Sequence, residues 1–134
     1  MVAGGCDVTG LDIDSAAIST ATARYPGLDF HVGDIYTADK AGYTAMVSFE
    51  TLEHLDQPKW LIDSLPLTLT DIIASVPIRP TVGWNPWHQS DFTHGTFCRL
   101  IERQFTIIHV MSQPWVDGKG DLYLMVHGRR NAWA

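Results

Sequence analysis

Apolar residues occur along the chain in two alternating patterns, short continuous runs and stretches with helical spacing. Helical spacing is found at 15–25 and again from Pro58 to Leu65, which predicts two helices. The continuous runs end on acidic or turn residues and predict strands at 8–12, 28–32, 45–49 and 72–76. Strands that alternate with helices through short connections predict an α/β fold with a mainly parallel sheet.

The last third of the chain departs from this alternation. Residues 77–92 are irregular and rich in Pro and Trp, and Thr93 is placed to cap the helix that follows. Two apolar runs, 106–111 and 122–126, then flank a turn at 117–120 and predict an antiparallel hairpin. The expected fold class is therefore α/β, with a mostly parallel sheet and a C-terminal antiparallel hairpin.

Composition narrows the classes of function. The formal net charge is −6, from 15 acidic and 9 basic residues, and such a surface is poorly suited to neutralise nucleic-acid phosphates. A hydrophobic content of 46% excludes a disordered chain, and no apolar run approaches the ~18 residues of a membrane span. Cys6 and Cys98 have no metal or redox spacing, and no basic residue precedes Arg24 as a signal peptide requires. We expect a cytoplasmic protein with no nucleic-acid or membrane partner.

Acidic residues close the first two predicted strands. Ligands of open α/β sheets bind at the carboxyl ends of the strands, so Asp12 and Asp34 are candidates for ligand binding. Asp12 can accept hydrogen bonds from ribose hydroxyls, or it can be a helix-capping acid. Asp34 can accept from an exocyclic amine while Ile35 packs on a purine, or this segment can be an ordinary turn. Together the two positions predict an adenosine site.

Two histidines are candidates for acid–base chemistry. His54 follows two acids after the third strand, which is typical of a general base with an orienting partner, although a helix cap is the alternative. His88 lies in the long irregular segment, which either forms a lid over an acceptor or is a loop pinned by its tryptophans. The spacing Glu50-x-x-Glu53-His54 is similar to an inverted zinc motif. It begins with Glu where that motif needs His, so no metal ion is expected.

Three segments resemble, in order and spacing, those of the class I S-adenosylmethionine-dependent methyltransferases: VTGLDID, RYPGLDFHVGDI and VSFETLEHL. The third contains the LEH segment of a small-molecule branch, and NPWHQSDFTHGTFCRLIERQF and GDLYLMVHGRR are similar to later segments of that branch. The resemblance covers nearly the whole chain and implies one methyltransferase-like domain over residues 1–134, with a Rossmann-like, mostly parallel sheet. It also implies S-adenosylmethionine as the cofactor and in-line transfer of its methyl group to a small-molecule acceptor.

The resemblance gives each candidate residue a role. These roles are ribose binding for Asp12, adenine binding for Ile13, Asp34 and Ile35, contact with the methionine moiety for Phe49 and Glu50, and contact with the acceptor for His54 and His88.

The family's first strand and its GxGxG turn have no counterpart in the sequence. The resemblance therefore implies a chain truncated before the GxGxG motif, lacking the strand that lies between those ending at Asp12 and Phe49. Either the flanking strands close the gap, or a second copy or partner chain fills it, or the reading frame is incomplete, which we favour. The alternatives to methyl transfer are a non-catalytic remnant that binds or interacts, and an enzyme that cleaves S-adenosylmethionine. A nicotinamide dehydrogenase lacks support because its glycine fingerprint is absent.

Overall fold

The computed structural model describes residues 5–83, 85–114 and 121–130. Contacts divide the chain into two compact units, Met1–Asp39 and Lys40–Ala134. The elements in chain order are β1 (Thr9–Asp12), α1 (Ser15–Arg24), β2 (Asp29–Val32), β3 (Ala45–Phe49), a 3₁₀ turn (Leu52–His54), α2 (Pro58–Asp63), β4 (Asp71–Pro77), α3 (His94–Ile101), β5 (Thr106–Pro114) and β6 (Asp121–Arg129).

The first unit is a β-α-β arrangement. Strands β1 and β2 pair in parallel, with Asp12 opposite Val32, so their carboxyl ends lie at the same edge. Helix α1 begins after Asp14, whose carboxylate accepts a hydrogen bond from the backbone N–H of Ala16 at 2.8 Å. This N-cap satisfies one of the free donors of the first helical turn. The predicted helix start and both predicted strands are confirmed.

The second unit contains a four-stranded mixed sheet in the order β3-β4-β6-β5. Strands β3 and β4 are parallel, whereas β6 is antiparallel to both β4 and β5. The predicted C-terminal antiparallel hairpin is confirmed, and its turn at 117–120 lies outside the described residues. Within the part of the chain that the structure describes, β1 pairs with β2 alone and β3 with β4 alone.

The core of the second unit forms where α3 packs on the sheet. A glycine, Gly128, lies on β6 beneath this helix, and a Cβ built there would be 2.8 Å from Ile101 Cγ2 and 2.9 Å from Phe105 Cβ. The absence of a side chain at this position permits the close approach. The fully buried apolar side chains are Leu52, Leu61, Ile62, Ile72, Ala74, Val76, Phe97, Ile101, Leu124 and Val126.

Two details of the chain differ from the sequence pattern. Helix α2 ends at Asp63, so Leu65, which was expected within it, is buried just beyond its end. The sequence predicts a solvated strand end at Arg129-Arg130, but Arg130 donates to the Gln104 side chain at 2.6 Å and lies over the ring of Phe105, 4.7 Å from its centroid. No helix in residues 5–83, 85–114 and 121–130 is long and apolar enough to cross a bilayer.

Candidate functional site

The carboxyl edge of β1 and β2 holds the first group of predicted site residues. The N–H of Gly33 donates to the carbonyl of Asp12 at 2.9 Å, so the chain leaving β2 passes beside the end of β1. One carboxylate oxygen of Asp12 accepts from the N–H of Asp14 at 2.9 Å. The other accepts no hydrogen bond from the described residues. Asp12 therefore accepts a hydrogen bond within its own turn and has one carboxylate oxygen available. The N-cap of α1 is Asp14 and not Asp12.

The other predicted residues at this edge are exposed or half-buried. Ile13 is 74% exposed, and Ile35 is half-buried. Asp34 is exposed, and its carboxylate accepts from the N–H of Tyr36 at 2.9 Å. Its carbonyl also accepts from the following turn, so Asp34 is an acid that heads a turn. The edge presents two carboxylates and the Ile13 side chain to solvent, and Ile35 is partly covered.

Backbone strain occurs directly after β3. Glu50 has a φ of 49°, in the left-handed region that a side chain disfavours. Its N–H donates to the Ser75 carbonyl at 3.1 Å, and its carboxylate accepts from the Ser75 hydroxyl at 2.6 Å. Burial raises the pKa of Glu50, and this outweighs the opposing effects of the Ser75 hydrogen bond and the His54 charge. The preceding Phe49 is 47% exposed. Strained residues that their surroundings hold in this way cluster at functional sites.

The next acid along the chain, Glu53, is buried without full hydrogen bonding. It lies in the 3₁₀ turn and is only 1% exposed, and its Oε2 has no partner among the described residues. Burial raises the pKa of Glu53 to about 7. A backbone hydrogen bond and the His54 charge act against burial, and the Glu50 carboxylate acts with it. The Glu53 carbonyl accepts from the N–H groups of Gln89 and Ser90 at 2.7 and 3.1 Å, which ties the long loop to the turn.

The two predicted catalytic histidines lie together. The rings of His54 and His88 have centroids 4.6 Å apart and are perpendicular. His54 Nδ1 is 3.0 Å from the Trp87 carbonyl, which can only accept, so Nδ1 carries the proton and donates. His54 Nε2 lies 3.9 Å from Glu53 Oε1. The turn after β3 and the loop after β4 thus bring an acid and two imidazoles together.

A hydrogen-bond chain positions His88. The Thr81 hydroxyl lies 2.5 Å from His88 Nδ1 and 3.2 Å from Asp91 Oδ1. Asp91 also accepts from the N–H groups of Thr81 and Val82 at 2.6 and 3.1 Å, and these bonds lower the pKa of its carboxyl. Burial lowers the pKa of His88, the His54 charge adds to this, and Asp91 opposes it. His88 is therefore held as a neutral imidazole at pH 7.

The aromatic residues of the loop have different environments. Trp87 is 75% exposed, whereas Phe92 is buried with its ring edge-on to Phe97, so Phe92 belongs to the core. Trp84 lies outside the described residues.

Three residues that organise this site could not be predicted from the sequence. Glu53 was a candidate only as a neighbour of His54, and Thr81 and Asp91 had no predicted role. The only sequence signal for these residues was the presence of several polar residues in a loop that is also rich in apolar and aromatic residues.

Comparison with known proteins identifies the fold. No protein-family profile and no curated protein matches the sequence. Solved structures do match, among them the N-methyltransferase NodS of Bradyrhizobium japonicum in complex with S-adenosylhomocysteine, with a TM-score of 0.72 and 18% identity over 91% of this chain and 65% of NodS. A second is the 1,6-didemethyltoxoflavin-N1-methyltransferase of Burkholderia thailandensis, with bound 1,6-didemethyltoxoflavin and S-adenosylhomocysteine. It has a TM-score of 0.75 and 17% identity over 97% of this chain and 64% of the enzyme.

A third is a TehB-like SAM-dependent methyltransferase of Corynebacterium glutamicum, with a TM-score of 0.67 and 17% identity over 93% of this chain and 68% of the enzyme. The chain spans 64–68% of the length of these three proteins. The chain has a mixed sheet and the fold of the class I S-adenosylmethionine-dependent methyltransferases.

Proposed function

We propose that this protein binds S-adenosylmethionine at the carboxyl edge of β1 and β2 and transfers its methyl group to a small-molecule acceptor. The observation that carries the proposal is the Asp12 carboxylate at this edge, in a fold shared with two methyltransferases solved with S-adenosylhomocysteine. Ligand binding at the carboxyl ends of parallel strands is general in open α/β sheets.

The side chains at this edge suit an adenosine. Its ribose hydroxyls are donors, and Asp12 has an oxygen available to accept from them. Its exocyclic amine is also a donor, for which we assign Asp34, and its ring needs apolar contact, for which we assign Ile13 and Ile35. Exposed apolar side chains beside a carboxylate give such a site both its affinity and its orientation.

We assign Phe49 and Glu50 to the methionine end of the cofactor. Phe49 keeps 47% of its surface exposed, and Glu50 is held in a strained conformation by its two hydrogen bonds to Ser75. A carboxylate that is fixed in this way can accept from an ammonium group without losing further side-chain entropy.

S-adenosylmethionine supplies a methyl group that its sulfonium charge already activates. The protein then contributes mainly position, and it needs a base only where the acceptor carries a proton on oxygen or nitrogen. His88 fits this role because it is neutral at pH 7 and the Asp91–Thr81 chain orients it. We assign His54, whose ring meets that of His88 edge-on, to the acceptor as well.

We also propose that the protein is cytoplasmic. Cys6 and Cys98 are both free thiols, which is the state that a reducing compartment maintains.

We further propose that the sheets gain an additional strand. Open strand edges attract further strands, and self-association or a partner chain would supply one at β1 or β3. Light scattering of the purified chain, alone and after cross-linking, measures this assembly.

Calorimetric titration with S-adenosylhomocysteine tests the cofactor site. Asp12→Ala removes an acceptor of ribose hydrogen bonds, and we expect affinity to fall about 10-fold to 100-fold, since hydrogen bonds to charged groups contribute ~1.5–3 kcal/mol. Asp29→Ala is the matched control because it removes the same side chain at the opposite end of the same strand pair. Equal affinity in both variants would refute the assignment of Asp12.

A methyl-transfer assay tests the reaction. Small acceptors with phenol, amine or hydroxyl groups are incubated with labelled S-adenosylmethionine, and labelled product is separated from cofactor. We expect His88→Ala to lower turnover with S-adenosylhomocysteine affinity unchanged. An equal loss of both would give His88 a structural role instead. Loss of S-adenosylmethionine without a methylated product would replace transfer by cleavage.

A further inference from the structure

Three side chains typical of metal sites converge at the 3₁₀ turn. One ligand atom from each of Glu53, His54 and His88 lies within 4.8 Å of the other two. The turn after β3 supplies two of these residues, and the loop after β4 supplies the third. This convergence is a property of the fold, because His88 is far from the other two in sequence.

We propose that Glu53, His54 and His88 bind a divalent transition-metal ion, with Zn²⁺ the ion that best fits these ligands. Two imidazoles and one carboxylate form a set that catalytic zinc sites use, with a fourth position left open. Mg²⁺ and Ca²⁺ prefer oxygen ligands throughout, so the two nitrogen donors favour a transition metal over either ion.

The state of Glu53 is an independent observation that points to a missing ligand. Its side chain is 1% exposed, yet Oε2 has no hydrogen-bond partner among the described residues. A buried polar atom without a partner is costly, and native proteins rarely keep one without a reason. A cation bound by this carboxylate would offset the cost of burying it.

The hydrogen bonds behind the two histidines leave the correct atoms for coordination. His54 donates from Nδ1 to the Trp87 carbonyl, which leaves the Nε2 lone pair available. The Thr81 hydroxyl can donate to Asp91, and His88 Nδ1 then donates to Thr81, which leaves its Nε2 available as well. Metal-binding histidines are held in this way, with one ring nitrogen bonded to an oxygen and the other facing the ion.

Binding requires a small contraction of the cluster. Tetrahedral zinc has bonds of ~2.0–2.1 Å, which places its ligand atoms about 3.4 Å apart. The present separations of up to 4.8 Å therefore close by about 1.4 Å. The side chain of His54 is 39% exposed, so it can rotate and the ion can enter from solvent.

This proposal revises the expectation of no metal, which treated Glu50 as the first ligand. The Glu50 carboxylate instead accepts from Ser75, and the third ligand comes from the loop. A histidine whose Nε2 coordinates the ion cannot also accept a proton at that atom. With an ion bound, the metal would orient an acceptor oxygen, and the histidines would not act as the base. This consequence rests on the proposed function, whereas metal binding itself does not.

Zinc titration of the chelator-treated full chain, without S-adenosylmethionine, tests the site. We expect one Zn²⁺ per chain by calorimetry, and a visible absorption spectrum of tetrahedral Co²⁺ when cobalt is used as the probe. His88→Ala and Glu53→Gln each lower zinc affinity by about 100-fold or more, and Thr81→Val, which removes only an outer contact, lowers it about 10-fold. His31→Gln, which removes a histidine beside Asp29 in the first unit, leaves zinc affinity unchanged.

Circular dichroism confirms folding of each variant before titration. Should Glu53→Gln fail to fold, His88→Ala decides the question because His88 is only half-buried and lies in a loop. Zinc affinity unchanged in His88→Ala, or lost in His31→Gln, overturns the proposal. If the chain binds zinc but not S-adenosylhomocysteine, the metal site stands and the proposed function is refuted. If it binds S-adenosylhomocysteine but not zinc, the metal site is refuted and the proposed function stands.

Discussion

Gly128 is the position where one added methyl group should be most costly. It lies on β6, opposite Ile72 of β4 and Ile107 of β5, and α3 and the residues after it cover it. An alanine Cβ would be 2.8 Å from Ile101 Cγ2, 2.9 Å from Phe105 Cβ and 3.1 Å from Ile72 Cγ2. Two of these distances are shorter than real Cβ atoms show, so something must move.

The cost follows from which atoms would have to move. Ile101 can rotate its side chain only within a fully buried environment, and the Phe105 Cβ is fixed to the backbone. Gly128→Ala therefore requires α3 and β6 to separate, and overpacking of this kind costs ~1–3 kcal/mol. All five tryptophans lie in the second unit, so urea unfolding followed by tryptophan fluorescence reports on the part of the chain that contains the substitution.

Gly95→Ala is the matched control in the same unit. A Cβ at Gly95 would meet only the flexible end of Arg99 at 3.4 Å, and alanine is favoured over glycine within a helix. We expect the control to be as stable as the parent or slightly more stable. If Gly128→Ala unfolds at the same urea concentration as Gly95→Ala, the packing of α3 on β6 described here is wrong.

Three further substitutions test other parts of the second unit. The Glu50→Gly variant should be about 1 kcal/mol more stable than Glu50→Ala in urea unfolding. Both variants lose the carboxylate, but only glycine adopts the positive φ without strain. If Glu50→Ala is instead the more stable variant, residue 50 is not strained. Burial acts to raise the pKa of Asp71, but hydrogen bonds from His127, Arg129 and Thr70 outweigh it and lower the pKa. Asp71→Asn should therefore destabilise the protein at pH 7, and the difference in unfolding free energy should shrink as pH falls below 3.8; a pH-independent difference contradicts this. Thr93→Ala removes the capping box with Thr96 and should cost ~1 kcal/mol in thermal unfolding, whereas an unchanged melting temperature would show that the cap adds nothing.

The sequence pattern predicted most of the fold because local signals and tertiary contacts agree. Continuous apolar runs form β3 and β4, and Thr93 is the N-cap of α3 as predicted, since a cap is decided by the few residues around it. Arg130 was misjudged because its partners, Gln104 and Phe105, are brought to it by the antiparallel pairing of β5 and β6. No local pattern reports such a contact.

Only part of the candidate site could be predicted from the sequence. His54 and His88 could be selected as candidates by residue type, but their contact depends on how the loop after β4 returns to the turn after β3. Glu53 has no distinguishing mark in the sequence, because a Glu beside a His is ordinary. Its burial and its unpartnered oxygen are visible only in the folded chain, where Gln89 and Ser90 also bond to its carbonyl.

Both groups of candidate residues occur at the carboxyl ends of parallel strand pairs, and this is a consequence of strand register. In the first unit, Asp12 lies opposite Val32, so the chain leaves both strands at the edge that holds the exposed carboxylates. In the second unit, Phe49 lies opposite Ser75, and the segment 50–54 and the loop 77–92 leave from that same edge. Polar residues gather there because parallel strands satisfy their own backbone groups, while the segments that follow must find partners among side chains. The Glu50–Ser75 and Thr81–Asp91 hydrogen bonds are two such partnerships, and the strained and buried acids beside them are where we expect the chemistry.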